Sequence, residues 1–202
     1  MRYPTTAVIA VLLLLSPFLC STGWSDDAST PKGAMKVLMD AMHRADADAV
    51  KAASINGDPQ LIDLMCALTT ATTKSRDAAI AKFGDAARDV FPDTWAQAGK
   101  SIDDAVVTEN GDTATLTSGP KSPNSAVHLK KIDGVWKIDF ASVPGMSNAA
   151  AMRSTFQKII DANNQVADEI NAGKYSSAQE ANAAVNGKLM TAMHAAAPST
   201  QK

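Results

Sequence analysis

The chain has few of the residues from which metal sites and nucleophile sites are built. It contains three histidines and two cysteines among 202 residues, and no two histidines have a zinc-binding spacing. A glycine-rich phosphate loop and a Gly-x-Ser-x-Gly nucleophile elbow are also missing from the sequence. From motifs we therefore assign no catalytic residue, no metal-binding residue, no cofactor-binding residue and no cofactor.

Aromatic residues and net charge are scarce as well. Aromatic residues make up 5% of the chain, and the net charge is −2 at pH 7, with both signs mixed along the sequence. A charge this weak does not favour nucleic acid or a membrane surface as a partner. Few aromatic rings remain once a core is filled, which counts against a large apolar ligand site.

Long hydrophobic runs are confined to the amino terminus. Met1 and Arg2 form a short basic start, residues 7–15 are apolar, and small residues follow. This pattern predicts a secretory signal peptide over residues 1–25 and export to the periplasm or the exterior. Because the run is shorter than the ~20 residues of a spanning helix, we predict no membrane insertion after cleavage.

The two cysteines have different predicted fates. Leu19 precedes Cys20, where a lipid-modification site needs a small residue, so we predict no lipid anchor at Cys20. Removal of the leader leaves Cys66 alone, which excludes an intramolecular disulfide. Its apolar neighbours predict a small buried core residue rather than a reactive thiol.

Capping residues and prolines predict three helices ahead of residue 104. Thr30 and Pro31 begin a first helix that continues to about residue 54. A second helix begins at Asp58, is weakened by the threonines of residues 69–73, and is followed by a third that Ser75 opens and a proline stops. The next segment predicts a short turn capped by Asp93 and carrying Trp95.

Alternating apolar and polar residues then predict an antiparallel sheet. Its strands cover residues 104–109, 113–118, 125–131 and 135–141. Asn110-Gly111 and Asp133-Gly134 predict tight hairpins, because these residues tolerate positive φ.

The alternation also sorts the side chains of the sheet onto two faces. The face predicted to meet the helices carries Ala114, Leu116, Val127, Leu129, Trp136, Ile138 and Phe140. The face predicted to meet solvent carries Thr113, Thr115, Thr117, His128, Lys130, Lys137 and Asp139. Helices on one side of an antiparallel sheet define the α+β class.

The pattern becomes helical again after residue 145. One stripe ends before Gly173, and Ser177 with Glu180 matches a capping box that begins another helix. The stripe consists of Met152, Phe156, Ile159, Ile160, Asn163, Val166 and Ile170. We predict a carboxy-terminal helical hairpin over residues 146–202 that packs on the preceding domain, residues 26–145. The alternative is that the stripe is a surface for a partner.

The predicted order of elements is three helices followed by a meander, which ends in Leu-Lys-Lys-Ile-Asp-Gly-Val-Trp-Lys-Ile-Asp-Phe. This order and this ending resemble the ketosteroid-isomerase-like and nuclear-transport-factor-like superfamily of cone-shaped folds. The chain looks especially like small secreted bacterial members of unknown function, which have a similar closing Gly-x-Trp-Lys-Ile strand. The resemblance covers about residues 30–143 and leaves the helical hairpin outside it. It implies that the helices and a curved antiparallel sheet enclose a pocket.

Enzymatic members of the superfamily place acids, histidines or a tyrosine inside that pocket. Ketosteroid isomerase uses an Asp base with a Tyr and a protonated Asp as oxyanion donors. Here the only tyrosine outside the predicted leader is Tyr175, in the hairpin, and His128 and Asp139 belong to the solvent face. The resemblance therefore carries over no catalytic residue.

Two acidic motifs on the first predicted helix resemble metal sites but lack the required spacing. Asp46 and Asp48 begin like a calcium loop, but Lys51 stands where glycine is required. Asp40, His43 and Asp46 lie three residues apart, which spreads them around the helix. We therefore predict no calcium loop, and we interpret the second motif as a solvated helix face.

Methionine clusters raise the possibility of Cu(I), which thioether sulfur binds in exported proteins. Met35 and Met42 share the apolar stripe of Leu38, so we predict core packing and no copper site. The two clusters are Met35, Met39 and Met42 on the first helix, and Met190, Met193 and His194 on the last.

The function predicted from the sequence is an exported, non-enzymatic binding or scaffolding domain, acting with a protein partner or as a homodimer. A first alternative is a binder of small apolar ligands, whose pocket would be lined by Trp95, Leu116, Trp136 and Phe140. A second alternative is an enzyme whose acids come from helices or loops.

Overall fold

The computed structural model describes residues 27–93, 95–117, 126–143 and 149–194. The predicted leader, Cys20 and the proline-rich stretch 119–124 lie outside these ranges. Within them the helices are α1 (Pro31–His43), α2 (Ala47–Ala52), α3 (Pro59–Phe83), α4 (Ala86–Val90), α5 (Trp95–Asp103), α6 (Ala149–Asn171) and α7 (Ala178–His194). The strands are β1 (Ser54–Ile55), β2 (Val106–Asn110), β3 (Thr113–Thr117), β4 (Val127–Ile132) and β5 (Val135–Asp139). The predicted α+β class is confirmed.

The first predicted helix is divided into α1 and α2, so its predicted extent to residue 54 is wrong. Ala45 adopts a left-handed conformation with φ 54°, and the Asp46 N–H donates to the Ala41 carbonyl at 2.9 Å. This is the hydrogen bond with which a helix commonly ends. The Asp46 side chain then accepts the Ala49 N–H and caps α2.

The second and third predicted helices are one helix, α3, of 25 residues. The threonine cluster does not end it, because hydroxyl groups bond to carbonyls one turn back, as in the contacts from Thr69 to Met65 and from Thr70 to Cys66. Ser75 is not a cap, since it lies in the middle of α3 and is 1% exposed. The predicted turn at Trp95 is the nine-residue helix α5. Among the described residues, five helices rather than three therefore precede β2.

The four predicted strands are confirmed to within about two residues, and adjacent ones pair antiparallel. At the second hairpin Asp133 and Gly134 both have positive φ, as the sequence predicts. The first hairpin is shifted by one residue. Asn110 pairs with Thr113, which leaves Gly111, with φ 59°, as the first central residue of the turn.

The sheet has a fifth strand that the sequence did not indicate. β1 contains two residues and pairs parallel to β5, which gives the mixed order β1-β5-β4-β3-β2. Beyond β1 the same edge of β5 is bonded by the segment before α1, because the Trp136 N–H donates to the Ala28 carbonyl at 2.9 Å. The amino-terminal segment is thus attached to the sheet.

One hydrophobic cluster lies between the sheet and the helices. It joins buried residues of α1, α2 and the first half of α3 to the sheet face that the sequence predicted. Trp136 and Ile138 are 2% and 0% exposed, while Lys137 between them is only partly buried. The predicted assignment of faces is confirmed. Cys66, 5% exposed, is part of this cluster, as predicted.

The two carboxy-terminal helices pack on the rest of the chain. α6 lies along α3, and α7 contacts α4 and α6. A second hydrophobic cluster forms there around Val166 and Ile170, and Ala79 joins it from α3. Ser177 accepts the Glu180 N–H, and Glu180 accepts the Ser176 N–H, close to the predicted capping box. None of the described helices combines the length and apolarity of a membrane span.

Candidate functional site

A cavity of about 320 Å³ lies where α3, α6 and α7 meet the segment that joins α4 to α5. We call it the interhelical cavity. The three helices contribute mainly polar side chains to it, and the connecting segment contributes mainly apolar ones. Its lining residues are Thr72, Thr73, Ser75, Arg76, Val90, Phe91, Pro92, Asp93, Trp95, Asn163, Asn182 and Val185.

The buried polar part of this cavity is a pair of side chains on α3 and α6. The Ser75 hydroxyl lies 2.8 Å from Asn163 Oδ1 and 3.0 Å from the Thr72 carbonyl. The Asn163 amide nitrogen donates to the Ile159 carbonyl at 2.9 Å. Ser75 and Asn163 are 1% and 6% exposed, so this hydrogen bond joins the two helices in an environment that excludes water.

An ion pair lies at the side of the cavity nearer to solvent. Arg76 Nη1 is 3.1 Å from Asp93 Oδ2. Asp93 Oδ1 accepts a hydrogen bond from the backbone N–H of Trp95 at 3.0 Å. The Trp95 N–H, and after it the Arg76 guanidinium, hold the pKa of the Asp93 carboxyl below its ordinary value. Asp93 therefore stays ionised and caps α5.

Three hydrogen-bonding groups on the cavity wall have no partner among the described residues. They are the Thr73 hydroxyl, the Asn182 amide and the indole N–H of Trp95, and all three side chains are half-buried. Half-buried polar groups without a protein partner bind water or a ligand. All three residues line the same cavity, and a few polar side chains within a partly apolar lining are typical of a small-molecule site.

The four predicted pocket residues do not border one common cavity. Trp95 borders the interhelical cavity. Leu116 borders a second cavity of about 130 Å³, which also involves Met35, Ile102 and Val127. We call this the small apolar cavity. Trp136 and Phe140 belong to the cluster between sheet and helices and are 2% and 6% exposed.

The outer face of the sheet carries a groove that the sequence did not indicate. It has a volume of about 630 Å³ and contains His128 and Asp139. These residues face away from the core, as predicted, and both are engaged locally. His128 Nδ1 lies 3.1 Å from the Thr115 hydroxyl, while Asp139 accepts the Asn56 amide at 3.0 Å and the Ala141 N–H at 3.1 Å.

Where the pKa of a described carboxyl group is shifted from its ordinary value, it is lowered. Hydrogen bonds and neighbouring cations lower the pKa of five carboxyl groups in the described part of the chain, Asp27, Asp58, Asp93, Glu169 and Glu180. A carboxyl group that acts as general acid needs a raised pKa. These five groups are therefore adjusted for structural ion pairs and caps.

The described residues contain no cluster of three histidine, cysteine, aspartate or glutamate side chains that could hold a metal ion. Asp46, half of the calcium-like motif, is the cap of α2. Met35 and Met42 pack against the first hydrophobic cluster, whereas Met190 is 56% exposed. The side chains of Met193 and His194 lie outside the described residues.

Sequence reasoning missed most of the interhelical cavity. Asn163 was the available signal, since it is a polar residue within the apolar stripe of α6 and was assigned to packing. Its partner Ser75 was misread as a helix cap, and Asn182 lies on a helix where nothing in the pattern distinguishes it. No protein-family model, no curated protein and no solved structure matches the chain.

Proposed function

We propose that this protein is an exported, non-catalytic binding module whose ligand is a small polar molecule held in the interhelical cavity. One observation carries the proposal. Thr73, Asn182 and Trp95 line one cavity of about 320 Å³, and their polar side-chain groups have no partner among the described residues. This volume lies near the lower end of the ~300–1,000 Å³ range of small-molecule pockets.

The chemistry of the lining supports binding over catalysis. Asp93 is the one carboxylate on the described wall, and it is ionised and paired with Arg76. A general base has to be free to accept a proton near the operating pH, and Asp93 is held away from that condition by a lowered pKa. The remaining lining groups are hydroxyls, amides and apolar side chains, which orient a ligand.

A thermal-shift screen of small polar metabolites tests the proposal. A ligand at 100 times its Kd stabilises the folded state by about 2.7 kcal/mol, which for a chain of this size raises Tm by roughly 5 to 10 °C. Asn182→Trp places an indole in the cavity and should abolish this shift. Native mass spectrometry of the protein from its own host would select the compounds to screen first.

Asn186→Trp is the matched control, because Asn186 lies one turn further along α7, is exposed and is outside the cavity lining. It should leave the ligand-induced shift unchanged. Compounds that stabilise Asn182→Trp as strongly as the unchanged protein would show that they bind elsewhere, and the proposal would be rejected.

The small apolar cavity supports a second candidate function, the binding of a small apolar ligand. Its volume of about 130 Å³ is close to that of an engineered apolar cavity of about 150 Å³ that binds benzene or xenon. Leu116→Trp should fill it and abolish uptake of benzene while the circular dichroism spectrum is preserved. Benzene binding that survives this substitution would count against the second candidate.

We also propose that the fold is a variant of the cone-shaped superfamily. Support comes from α1 and α3, which pack on one face of the meander β2–β5. The parallel strand β1 and the packing of α6 along α3 are additions to the pattern implied by the resemblance. An experimental structure in which the sheet is flat, or in which α1 lies on its outer face, would contradict this assignment.

A further inference from the structure

Both charged groups on the wall of the interhelical cavity are already paired. Arg76 Nη1 is 3.1 Å from Asp93 Oδ2, and Arg76 Nε is 3.3 Å from Asp77 Oδ1. Each charge on the described wall is thus already balanced by a partner. An ionic ligand of either sign would gain little attraction there to offset the desolvation of its own charge. The wall therefore favours an uncharged ligand.

The groups that remain on the wall include both donors and acceptors. The Asn182 amide and the Thr73 hydroxyl can each do both, and the Trp95 indole donates. A ligand hydroxyl also donates and accepts, so a compound with several hydroxyls can pair with this mixed set. A ligand that only accepts would leave some of these groups unpaired, at a cost in affinity.

Aromatic rings provide part of the apolar wall. Trp95 and Phe91 both border the cavity, and the Trp95 ring is held against His43 with the ring centroids 5.3 Å apart. A sugar ring presents hydroxyls at its edge and C–H groups on its faces, so it matches a wall with both polar groups and aromatic surface. A cavity of about 320 Å³ has room for a single ring of this kind.

We infer that the ligand of the interhelical cavity is an uncharged polyhydroxylated ring, of the class of a neutral monosaccharide. The inference rests on the binding function proposed for the same cavity, and it names the chemical class of the ligand. Recognition comes from hydrogen bonds to Thr73 and Asn182 at the ring edge and from packing of the ring face on aromatic side chains.

Isothermal titration calorimetry of the full chain with two matched series tests this inference. Each series contains a neutral sugar, its uronate and its 2-amino derivative, based on glucose in one and galactose in the other. We expect a neutral sugar to bind at least about tenfold more tightly than both of its charged derivatives. Asn182→Ala should weaken that binding about tenfold, and Asn186→Ala should leave it unchanged.

The outcomes separate the inference from the function on which it rests. The sugar class is wrong if a uronate or an amino sugar binds as tightly as the neutral sugar, or if only unrelated polar compounds bind. In either case the binding function stands, provided that Asn182→Ala weakens the binding that is observed. If no sugar and no metabolite from the thermal screen binds in a way that depends on Asn182, both are wrong.

Discussion

Ala45 is held in a conformation that L-residues rarely adopt. Its φ of 54° places it in the left-handed region, which costs a non-glycine residue roughly 1 to 2 kcal/mol. The left-handed conformation is needed because α1 must end before Asp46 caps α2. The change of direction between the two helices brings Val50 into the first hydrophobic cluster. A single alanine thus carries the strain of the junction.

Ala45→Gly should relieve this strain and raise the free energy of unfolding by up to about 1 kcal/mol. Ala183→Gly is the matched control, because Ala183 is exposed within α7, where glycine should cost about 1 kcal/mol. Urea titrations followed by circular dichroism would measure both. If Ala45→Gly destabilised the protein as much as the control, residue 45 would lie within a continuous helix after all.

Two neighbouring residues of β5 test the assignment of the sheet faces. Trp136 is 2% exposed in the first hydrophobic cluster, so Trp136→Ala should cost roughly 3 to 5 kcal/mol. Lys137 points to the outer face and has no ion-pair partner among the described residues, so Lys137→Ala should change stability by less than about 0.5 kcal/mol. Equal, small effects in urea titrations would contradict the face assignment.

At the scale of elements, the sheet was predictable because alternation and hairpin dipeptides are local signals. Asp133 and Gly134 specify their turn regardless of the rest of the chain. The helices were less predictable, because propensity is a weak signal that packing overrides. The threonines of α3 read as a break, yet burial of Thr69 and Ser75 against other elements keeps the helix continuous.

Other features could not have been read from local pattern at all. β1 has only two residues, and its identity as a strand depends on the free edge of β5, which lies more than 80 residues away in sequence. The interhelical cavity depends on the same kind of long-range contact, since Ser75 and Asn163 are 88 residues apart. Periodicity correctly placed Asn163 on the inner side of α6 and could not show what it meets there.

The turn between α6 and α7 is held by one carboxylate. Glu169, on α6, is 2.8 Å from Lys174 Nζ and 3.3 Å from Lys188 Nζ on α7, and it accepts the Tyr175 hydroxyl. Lys174, then Tyr175 and Lys188, lower the pKa of Glu169 to about 2, while burial and Glu169 raise the pKa of Tyr175 to about 12. The hairpin therefore depends on an ionised Glu169.

This dependence predicts a pH effect on stability. Because the folded-state pKa of about 2 lies below the ordinary value of 4.5, the ionised form stabilises the fold fully above about pH 4.5 and progressively less as the pH falls towards 2. Glu169→Gln should therefore lower the urea midpoint at pH 7, and the difference from the unchanged protein should shrink between pH 4.5 and 2. Glu109→Gln, at an exposed position of β2, should show no such difference, and a pH-independent loss in Glu169→Gln would refute the linkage.

At the scale of the whole molecule, α3 belongs to both hydrophobic clusters. Its first half contributes Leu61 and Met65 to the cluster under the sheet, and its second half contributes Ala79 to the cluster around Ile170. Because each cluster supports one half of the same continuous helix, loss of one cluster should weaken the other, and we expect the carboxy-terminal helices to unfold together with the sheet domain.

Two matched substitutions test this coupling. Ile138→Val and Ile170→Val each remove one methylene from a side chain that is 0% exposed, one in each cluster, and each should cost about 0.5 to 1.5 kcal/mol. In a Trp24→Phe, Trp95→Phe background, Trp136 is the one remaining tryptophan of the sequence, so its fluorescence reports on the first cluster. Because the two clusters share α3, Ile170→Val should lower the urea midpoint of Trp136 fluorescence as much as that of circular dichroism. A fluorescence midpoint that responds to Ile138→Val and stays constant in Ile170→Val would mean that α6 and α7 unfold as a separate unit.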